Sequence, residues 1–255
     1  SMGFQPPYNV EGAIYAKYVL DTVKDPKIAI LFQNDDYGKD YRDGFLEALG
    51  DKKDLVVKML PYETSDPTVD SQIVALKDSG ANVFFNVTIP KFAAQAIRKA
   101  CEIDWKPLQL LNNVSSSVKS TLTPAGLDCS KDIITAQWQR DPSSPQWKDT
   151  EGYKEWAAFM DSEIPDGDRG DVNYAFGYSA SRMLHHVLAN CKDMTREGIM
   201  ACSANIKDLQ LPMVLPGILV NTSATDFYPI QAEQLSKFDG KQWVLFGKII
   251  DASSK

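Results

Sequence analysis

The sequence lacks the features that mark several large classes of protein. No stretch of its 255 residues approaches the roughly 18 to 20 apolar residues that a membrane-spanning helix needs. It has only two histidines, and its four cysteines form no CxxC pair, so a metal site is not expected. No block of lysine and arginine offsets the net charge of −7, which argues against nucleic acid as a partner.

The four cysteines leave the redox state of the chain open. Cys191 and Cys202 would close a short loop between two helices if the compartment is oxidising, and Cys101 with Cys129 is the remaining pair. The alternative is four buried thiols.

The first half of the chain alternates apolar runs with amphipathic segments. After an amphipathic segment at 10–23, strands are expected at 27–33, 55–60, 83–87, 108–111 and 133–138, with helices at 39–49, 66–80 and 90–103. This order predicts an α/β fold with a doubly wound parallel sheet and right-handed crossovers.

The chain changes in character after residue 138. Apolar side chains recur at helical spacing over 151–207, where Thr195 is the expected cap of the last helix. Extended segments are expected at 214–220, 231–238 and 242–250, with a hairpin turn before the last of them. A sheet, a helical insert and a returning hairpin predict a chain that crosses between two lobes.

The segment 27–38, KIAILFQNDDYG, carries the clearest functional signal. Its strand ends in an Asn-Asp-Asp-Tyr-Gly turn before a helix, and ligands of open α/β sheets lie outside the carboxyl ends of strands. Tyr37 is therefore well placed to contact a ligand.

Several motifs in order resemble the periplasmic solute-binding proteins of ABC importers, of the branched-chain amino acid-binding type. They are Gly3-Phe4-Gln5-Pro6, Glu11 to Tyr18, Asn34 to Gly38, Leu215 to Ile218, Asn221-Thr222-Ser223 and Phe238 to Trp243. The resemblance spans the chain and implies a type I periplasmic-binding-protein fold, in which hinge closure traps a ligand between two lobes.

The resemblance also implies how the chain is divided. Residues 1–135 and 223–255 would form the ligand-binding α/β lobe, called lobe 2, and 136–222 the incomplete, mainly helical remainder of lobe 1. The expected hinge strands contain Phe4 and Gln5, Thr135 and Ala136, and Asn221 and Thr222.

A typical member of that family has roughly 100 residues, about one small domain, before the position that corresponds to Met2. We therefore expect the helices of 151–207 to lack the sheet that they should cover. Their exposed apolar faces would recruit either a separate N-terminal fragment or a second copy in a dimer. The expected location is the periplasm, with the signal peptide outside this sequence.

The candidate ligand contacts follow the strands of lobe 2. The resemblance places the Tyr37 ring in the cleft wall, where its hydroxyl can donate to a carboxylate; the alternative is a tyrosine packed on the next helix. Thr88 and Ile89 place a hydroxyl and backbone amides at a helix N-terminus, which favours an anion, although Thr88 could simply cap that helix. Neutral Asn113 and Ser115 suit carbonyl or hydroxyl groups.

The run after the fourth strand bears on the class of ligand. Amino-acid binders of the family carry an acidic residue there, whereas residues 112–117 are NNVSSS. Because burial of an ammonium group without a counter-charge is costly, the sequence favours an aromatic or other small organic acid over an α-amino acid.

An enzyme is the main rival interpretation. The sequence contains no GxGxxG, Walker A or GxSxG motif, so neither a nucleotide cofactor nor acyl-transfer chemistry is expected. His185 and His186 are adjacent on a helix and point in different directions. The preferred function is delivery of the ligand to ABC permease subunits without chemistry, and a ligand-sensing module of the same fold is the alternative.

Overall fold

The computed structural model describes residues 2–251, and the chain divides into two units. Unit 1 comprises Ser1–Pro7, Gln137–Glu233 and Asp251–Lys255, and unit 2 comprises Tyr8–Ala136 and Gln234–Ile250.

Unit 2 is built from alternating helices and strands. They are α1 (Tyr8–Thr22), β1 (Ile28–Gln33), α2 (Asp36–Leu49), β2 (Val56–Tyr62), α3 (Asp70–Asp78), β3 (Val83–Val87), α4 (Pro90–Glu102), β4 (Leu108–Leu111) and β5 (Ile134–Gln137). The chain later returns as β6 (Ala232–Phe238), β7 (Trp243–Leu245) and β8 (Ile250–Asp251). Short helical turns lie at Gly50–Leu55, Asn113–Ser115, Val118–Leu122 and Thr123–Ala125.

The strands form one sheet in the order β2-β1-β3-β4-β5-β6-β7, with β8 beside β6. Neighbouring strands from β2 to β5 are parallel, whereas β6 and β7 are antiparallel. The predicted doubly wound α/β fold is therefore confirmed. Helix α2 begins three residues before the expected start because the Asp35 side chain caps it, accepting from the Gly38 N–H at 3.1 Å.

Helices cover both faces of this sheet. Ile28, Ile30 and Phe85 belong to the cluster that packs against α1 and α2, whereas Ala29 and Leu31 belong to the cluster with α3 and α4. Both β1 and β3 are buried along their whole length, which explains why their sequences are mostly apolar.

Two glycines let α1 and α2 approach closely. A Cβ atom at Gly12 would lie 2.3 Å from the Tyr41 carbonyl oxygen, and one at Gly44 would lie 2.1 Å from the Asn9 carbonyl oxygen. This close packing brings the first turn of α1 against the Tyr41 side chain, with consequences for the site described below.

Unit 1 contains α5 (Glu151–Glu163), α6 (Val172–Asn190) and α7 (Arg196–Ser203), with a single turn at Pro145–Trp147. Thr195 caps α7 as predicted, accepting from the Gly198 N–H at 3.1 Å. The core contains Trp156, Met160 and Tyr178. Several apolar side chains of its helices and loops are exposed, among them Leu184 (53%), Met194 (58%) and Met200 (45%).

The expected strand at 214–220 is wrong. Only isolated bridges occur there, between Gln139 and Val214 and between Leu209 and Val220. The reason is a turn at Pro216-Gly217: Gly217 has a φ of 86°, and the Ile218 N–H donates to the Leu215 carbonyl.

All four cysteines are paired in disulfides. Cys191 is bonded to Cys202, linking the end of α6 to α7, and Cys101 at the end of α4 is bonded to Cys129. The alternative of four thiols is therefore not the arrangement of this structure.

The chain passes between the units after Pro7, Ala136, Glu233 and Ile250. Of the predicted hinge residues, Thr135 and Ala136 directly precede a crossing, and Phe4 and Gln5 lie shortly before the first one.

Asn221 and Thr222, the third predicted hinge pair, lie inside unit 1. There the Thr222 hydroxyl donates to the Ser203 carbonyl at 2.6 Å and accepts from the Ile206 N–H at 2.9 Å. The chain therefore returns to unit 2 after residue 233, later than the predicted boundary at 222.

Candidate functional site

The carboxyl ends of β1, β3 and β4 lie together at one edge of the parallel sheet in unit 2. Tyr37, Thr88, Asn112 and Ser115 follow these strands and are hydrogen-bonded to one another. We call these four residues the strand-end network. Sequence reasoning predicted three of them as site residues and missed Asn112, although Asn112 is the first residue after β4.

The Thr88 carbonyl oxygen is the centre of the strand-end network. It accepts hydrogen bonds from the Asn112 side-chain amide, at 2.9 Å, and from the Ser115 hydroxyl. It also lies 3.2 Å from the Tyr37 hydroxyl. The Asn112 amide also donates to the Asn86 carbonyl at 3.0 Å, and its Oδ1 accepts from Tyr37 at 2.9 Å. These contacts fix the orientation of the Asn112 amide and the position of the Tyr37 hydroxyl.

Tyr37 lies in the first turn of α2 and is half-buried. Its ring makes edge contacts with Tyr8 and Tyr41, at centroid distances of 5.1 Å and 5.5 Å. Burial raises the pKa of Tyr37 well above its usual range, with smaller contributions from Tyr62 and Glu11. The hydroxyl therefore keeps its proton and remains a donor.

Thr88 and Ile89 lie at the N-terminus of α4, as predicted, but the Thr88 hydroxyl and the Ile89 N–H are already hydrogen-bonded within the protein. Ile89 is the N-cap residue of α4, so the alternative that Thr88 caps this helix is wrong. The Thr88 hydroxyl is fully buried and donates to Asn86 Oδ1 at 2.7 Å. The Ile89 N–H donates to the Tyr62 hydroxyl at 3.0 Å, and Tyr62 in turn donates to Gln33 Oε1 at 2.7 Å.

Asn113 faces the segment where the chain leaves unit 2. Its side-chain amide donates to the Ala136 carbonyl at 2.7 Å, and its backbone N–H donates to Glu11 Oε1 at 2.6 Å. Of the predicted contacts, Tyr37, Thr88 and Ser115 thus share one network. Asn113 and Ile89 adjoin it only as chain neighbours of Asn112 and Thr88. Their backbone N–H groups bind Glu11 and Tyr62, two residues that sequence reasoning did not select.

Residues 112–117 contain no carboxylate, but the Glu11 carboxylate contacts Asn113 from another element. It comes from α1, is 1% exposed, and lies within hydrogen-bond distance of the Tyr15 and Tyr41 hydroxyls as well as the Asn113 N–H. Burial raises the pKa of Glu11 to about 7, although the hydrogen bonds from Tyr41, Asn113 and Tyr15 act in the opposite direction. The sequence signal that could have identified Glu11 is its position, which falls on the buried face of α1.

The groups at this edge can hold a ligand by hydrogen bonds and ring contacts. The strand-end network offers neutral hydroxyl and amide groups and a tyrosine ring, but no nucleophile paired with a base. Within residues 2–251, no three His, Cys, Asp or Glu side chains are grouped as for a metal ion. In the same part of the chain, no helix has the length and apolar character needed to cross a bilayer.

Comparison with protein families gives one result that covers most of the chain. A family model described as periplasmic binding protein matches residues 2–234. Curated proteins give no significant match. The chain therefore belongs to the periplasmic binding protein family.

Solved structures of this kind share the fold at low sequence identity. A possible leucine/isoleucine/valine-binding protein from Rhodopirellula baltica SH 1 has a TM-score of 0.80 at 17% identity, covering 96% of this chain and 66% of its own. A branched chain amino acid ABC transporter protein from Thermus thermophilus with bound valine has a TM-score of 0.80 at 14% identity, covering 98% and 67%. An extracellular ligand-binding receptor from Rhodopseudomonas palustris HaA2 has a TM-score of 0.73 at 16% identity, covering 97% and 70%. The chain spans about two thirds of their length.

Proposed function

We propose that this member of the periplasmic binding protein family captures a small organic acid at the strand-end network and delivers it to the permease subunits of an ABC importer, without chemistry. The observation that carries the proposal is the hydrogen-bonded set of Tyr37, Thr88 and Asn112, which joins three strand ends at one edge of a parallel sheet. Ligands of open α/β sheets bind at such edges.

The donors and rings at this edge favour an acid with an aromatic body. The half-buried Tyr37 ring, in edge contact with Tyr8, provides an apolar wall, and its protonated hydroxyl can turn from Asn112 towards a carboxylate. The positive end of α4, a 13-residue helix that begins at Pro90, adds a favourable field for an anion.

An amino-acid-like ligand is the competing choice within the same proposal. One structural relative holds bound valine. The environment of Glu11 argues against a ligand with a free ammonium group. Glu11 is 1% exposed and already contacts two hydroxyls and a backbone N–H. An ammonium at the strand-end network would therefore have to compete with the contacts that Glu11 already makes, and we favour an aromatic acid.

A thermal-shift screen tests the choice of ligand. We expect benzoate and hydroxybenzoate to raise the unfolding temperature, and Y37F to reduce that increase. The matched control is Y228F, because Tyr228 is 57% exposed in unit 1. Stabilisation by valine or leucine, with none from the aromatic acids, would contradict the preference for an aromatic acid.

Export is part of the proposal. Two disulfides, Cys101–Cys129 and Cys191–Cys202, are typical of an oxidising compartment such as the periplasm. Mass spectrometry of protein from whole cells of its native host, lysed under alkylating conditions, should find no free thiol, whereas free thiols at all four positions would count against export.

We also propose that a second copy of the chain covers the exposed apolar side chains of α6 and α7 and their connecting loop. Leu184, Met194 and Met200 are all at least 45% exposed there. Light scattering should then give twice the chain mass of 28.4 kDa. A monomer at high micromolar concentration would remove this part of the proposal.

A further inference from the structure

Glu11 makes three short contacts in the interior of unit 2. Its Oε1 lies 2.8 Å from the Tyr15 hydroxyl oxygen and 2.6 Å from the Asn113 nitrogen, and its Oε2 lies 2.5 Å from the Tyr41 hydroxyl oxygen. All three distances are those of hydrogen bonds, so a hydrogen must lie between the two atoms of each pair.

Tyr15 makes two further contacts, which connect β4 to β5. Its hydroxyl oxygen lies 2.7 Å from the Leu111 carbonyl oxygen and 2.8 Å from the Ala136 nitrogen. The hydroxyl therefore stands between the two strands, accepting from the N–H of one and contacting the carbonyl of the other. Ala136 is the last residue of unit 2 before the chain enters unit 1.

These five contacts need five hydrogens, but the neutral groups supply four. Tyr15 and Tyr41 each bring one hydroxyl hydrogen, and Asn113 and Ala136 each bring one N–H. The single Tyr15 hydrogen cannot lie on the paths to both Leu111 and Glu11. An ionised Glu11 would leave two oxygen lone pairs facing each other at 2.7 to 2.8 Å, whereas a protonated carboxyl supplies the fifth hydrogen.

We propose that Glu11 is a protonated carboxylic acid in the folded protein below neutral pH, and that its proton, donated to Tyr15, positions the residues after β4 and the end of β5. With that proton in place, the Tyr15 hydroxyl donates to the Leu111 carbonyl and accepts from the Ala136 N–H, so that it bridges the ends of β4 and β5. Asn113 is held at the same time by Glu11 Oε1 and by the Ala136 carbonyl.

The groups around Glu11 support its neutral form. Four tyrosines surround it: Tyr8 and Tyr15 from α1, and Tyr37 and Tyr41 from α2. Thr135 of β5 lies on the far side of Tyr15, with its hydroxyl oxygen 3.4 Å from that of Tyr15. Asp35 and Asp40 add negative charge near Tyr8. No lysine, arginine or histidine in the described part of the chain forms a recorded ion pair with Glu11. Burial without a cation is the arrangement that keeps a carboxyl protonated.

Infrared spectroscopy of the whole chain tests the proton directly. At pH 6, the difference spectrum between wild type and E11Q should contain a protonated-carboxyl C=O band, which disappears as the pH rises above 8. E163Q is the matched control, because Glu163 is exposed, and should keep the wild-type band. Identical spectra of wild type and E11Q at pH 6 would overturn the proposal.

Amide NMR tests the positioning role and does not depend on a ligand. The Asn113 and Ala136 N–H resonances of wild type should titrate with the same midpoint as the infrared band, and should be independent of pH over that range in E11Q. Resonances that do not follow the band would show that the proton positions neither residue.

A consequence for binding rests on the proposed function. Affinity for benzoate, the probe used, should fall several-fold between pH 6 and pH 8.5 in wild type but not in E11Q. Equal pH dependence in both proteins would overturn the link to binding. Absence of benzoate binding at both pH values would refute the proposed ligand, while the infrared band would still decide the state of Glu11.

Discussion

The buried Glu11 carboxyl predicts an unusual dependence of stability on pH. Its pKa rises from the ordinary value of 4.5 to about 7 on folding, because burial disfavours the charged form more than its hydrogen bonds favour it. A shift of this size corresponds to about 3 kcal/mol of folding free energy.

The sign follows from the direction of the pKa shift. A carboxyl whose pKa is raised by folding binds its proton more tightly in the folded state, so its contribution is complete below pH 4.5 and is lost as the pH rises through about 7. Above pH 8, ionised Glu11 should leave the protein about 3 kcal/mol less stable than below pH 4.5, counting this group alone.

Urea denaturation of wild type and E11Q at half-unit steps from pH 4.5 to 8.5, with the disulfides intact, measures this contribution. The free energy of unfolding of wild type, relative to E11Q, should fall by about 3 kcal/mol across that range. Taking the difference between the two proteins cancels the contribution of other carboxyls to the pH dependence of stability. Asp193 and Asp239 are examples, because hydrogen bonds from nearby backbone groups lower their pKa values. E163Q should remain parallel to wild type. Parallel curves for wild type and E11Q would refute the reasoning.

Three further substitutions test the site and the fold. Y37F removes the donor to Asn112 at 2.9 Å and should weaken benzoate binding about 5- to 10-fold by calorimetry, a loss of about 1 kcal/mol; an unchanged Kd would contradict the role of Tyr37. G38A would place a Cβ atom 2.0 Å from the Gln33 carbonyl oxygen and should cost about 2 kcal/mol or more in urea unfolding, whereas G177A, in a helix with open space, should be neutral or stabilising. Removal of the Cys101–Cys129 disulfide, which spans 28 residues, by a double alanine substitution should cost about 3 kcal/mol, and an unaltered urea midpoint would contradict that estimate.

The sheet of unit 2 was predictable because its strands carry their own signal. β1 and β3 are buried on both faces, and such strands are mostly apolar, so their positions can be predicted without knowledge of their neighbours. The segment 214–220 failed because apolar content alone does not make a strand: the Pro216-Gly217 pair forms a turn that interrupts it.

The site was only partly predictable for a different reason. Tyr37, Thr88 and Ser115 follow strand ends, and the rule that parallel strands end at one edge brings them together. Glu11 reaches the same edge through a close approach of two helices that depends on Gly12 and Gly44, and no local pattern reports such packing. The only sign of this packing in the sequence is a glutamate, Glu11, at a position of α1 where the helical pattern predicts an apolar residue.

The most direct test of the account is a titration of the isotope-labelled chain with benzoate, followed by amide NMR. The account predicts saturable shifts concentrated at Tyr37, Thr88 and Asn112, with smaller shifts in Y37F at the same benzoate concentration. Saturable shifts confined to other residues, or none up to millimolar benzoate, would contradict the central claim that the strand-end network binds a small organic acid.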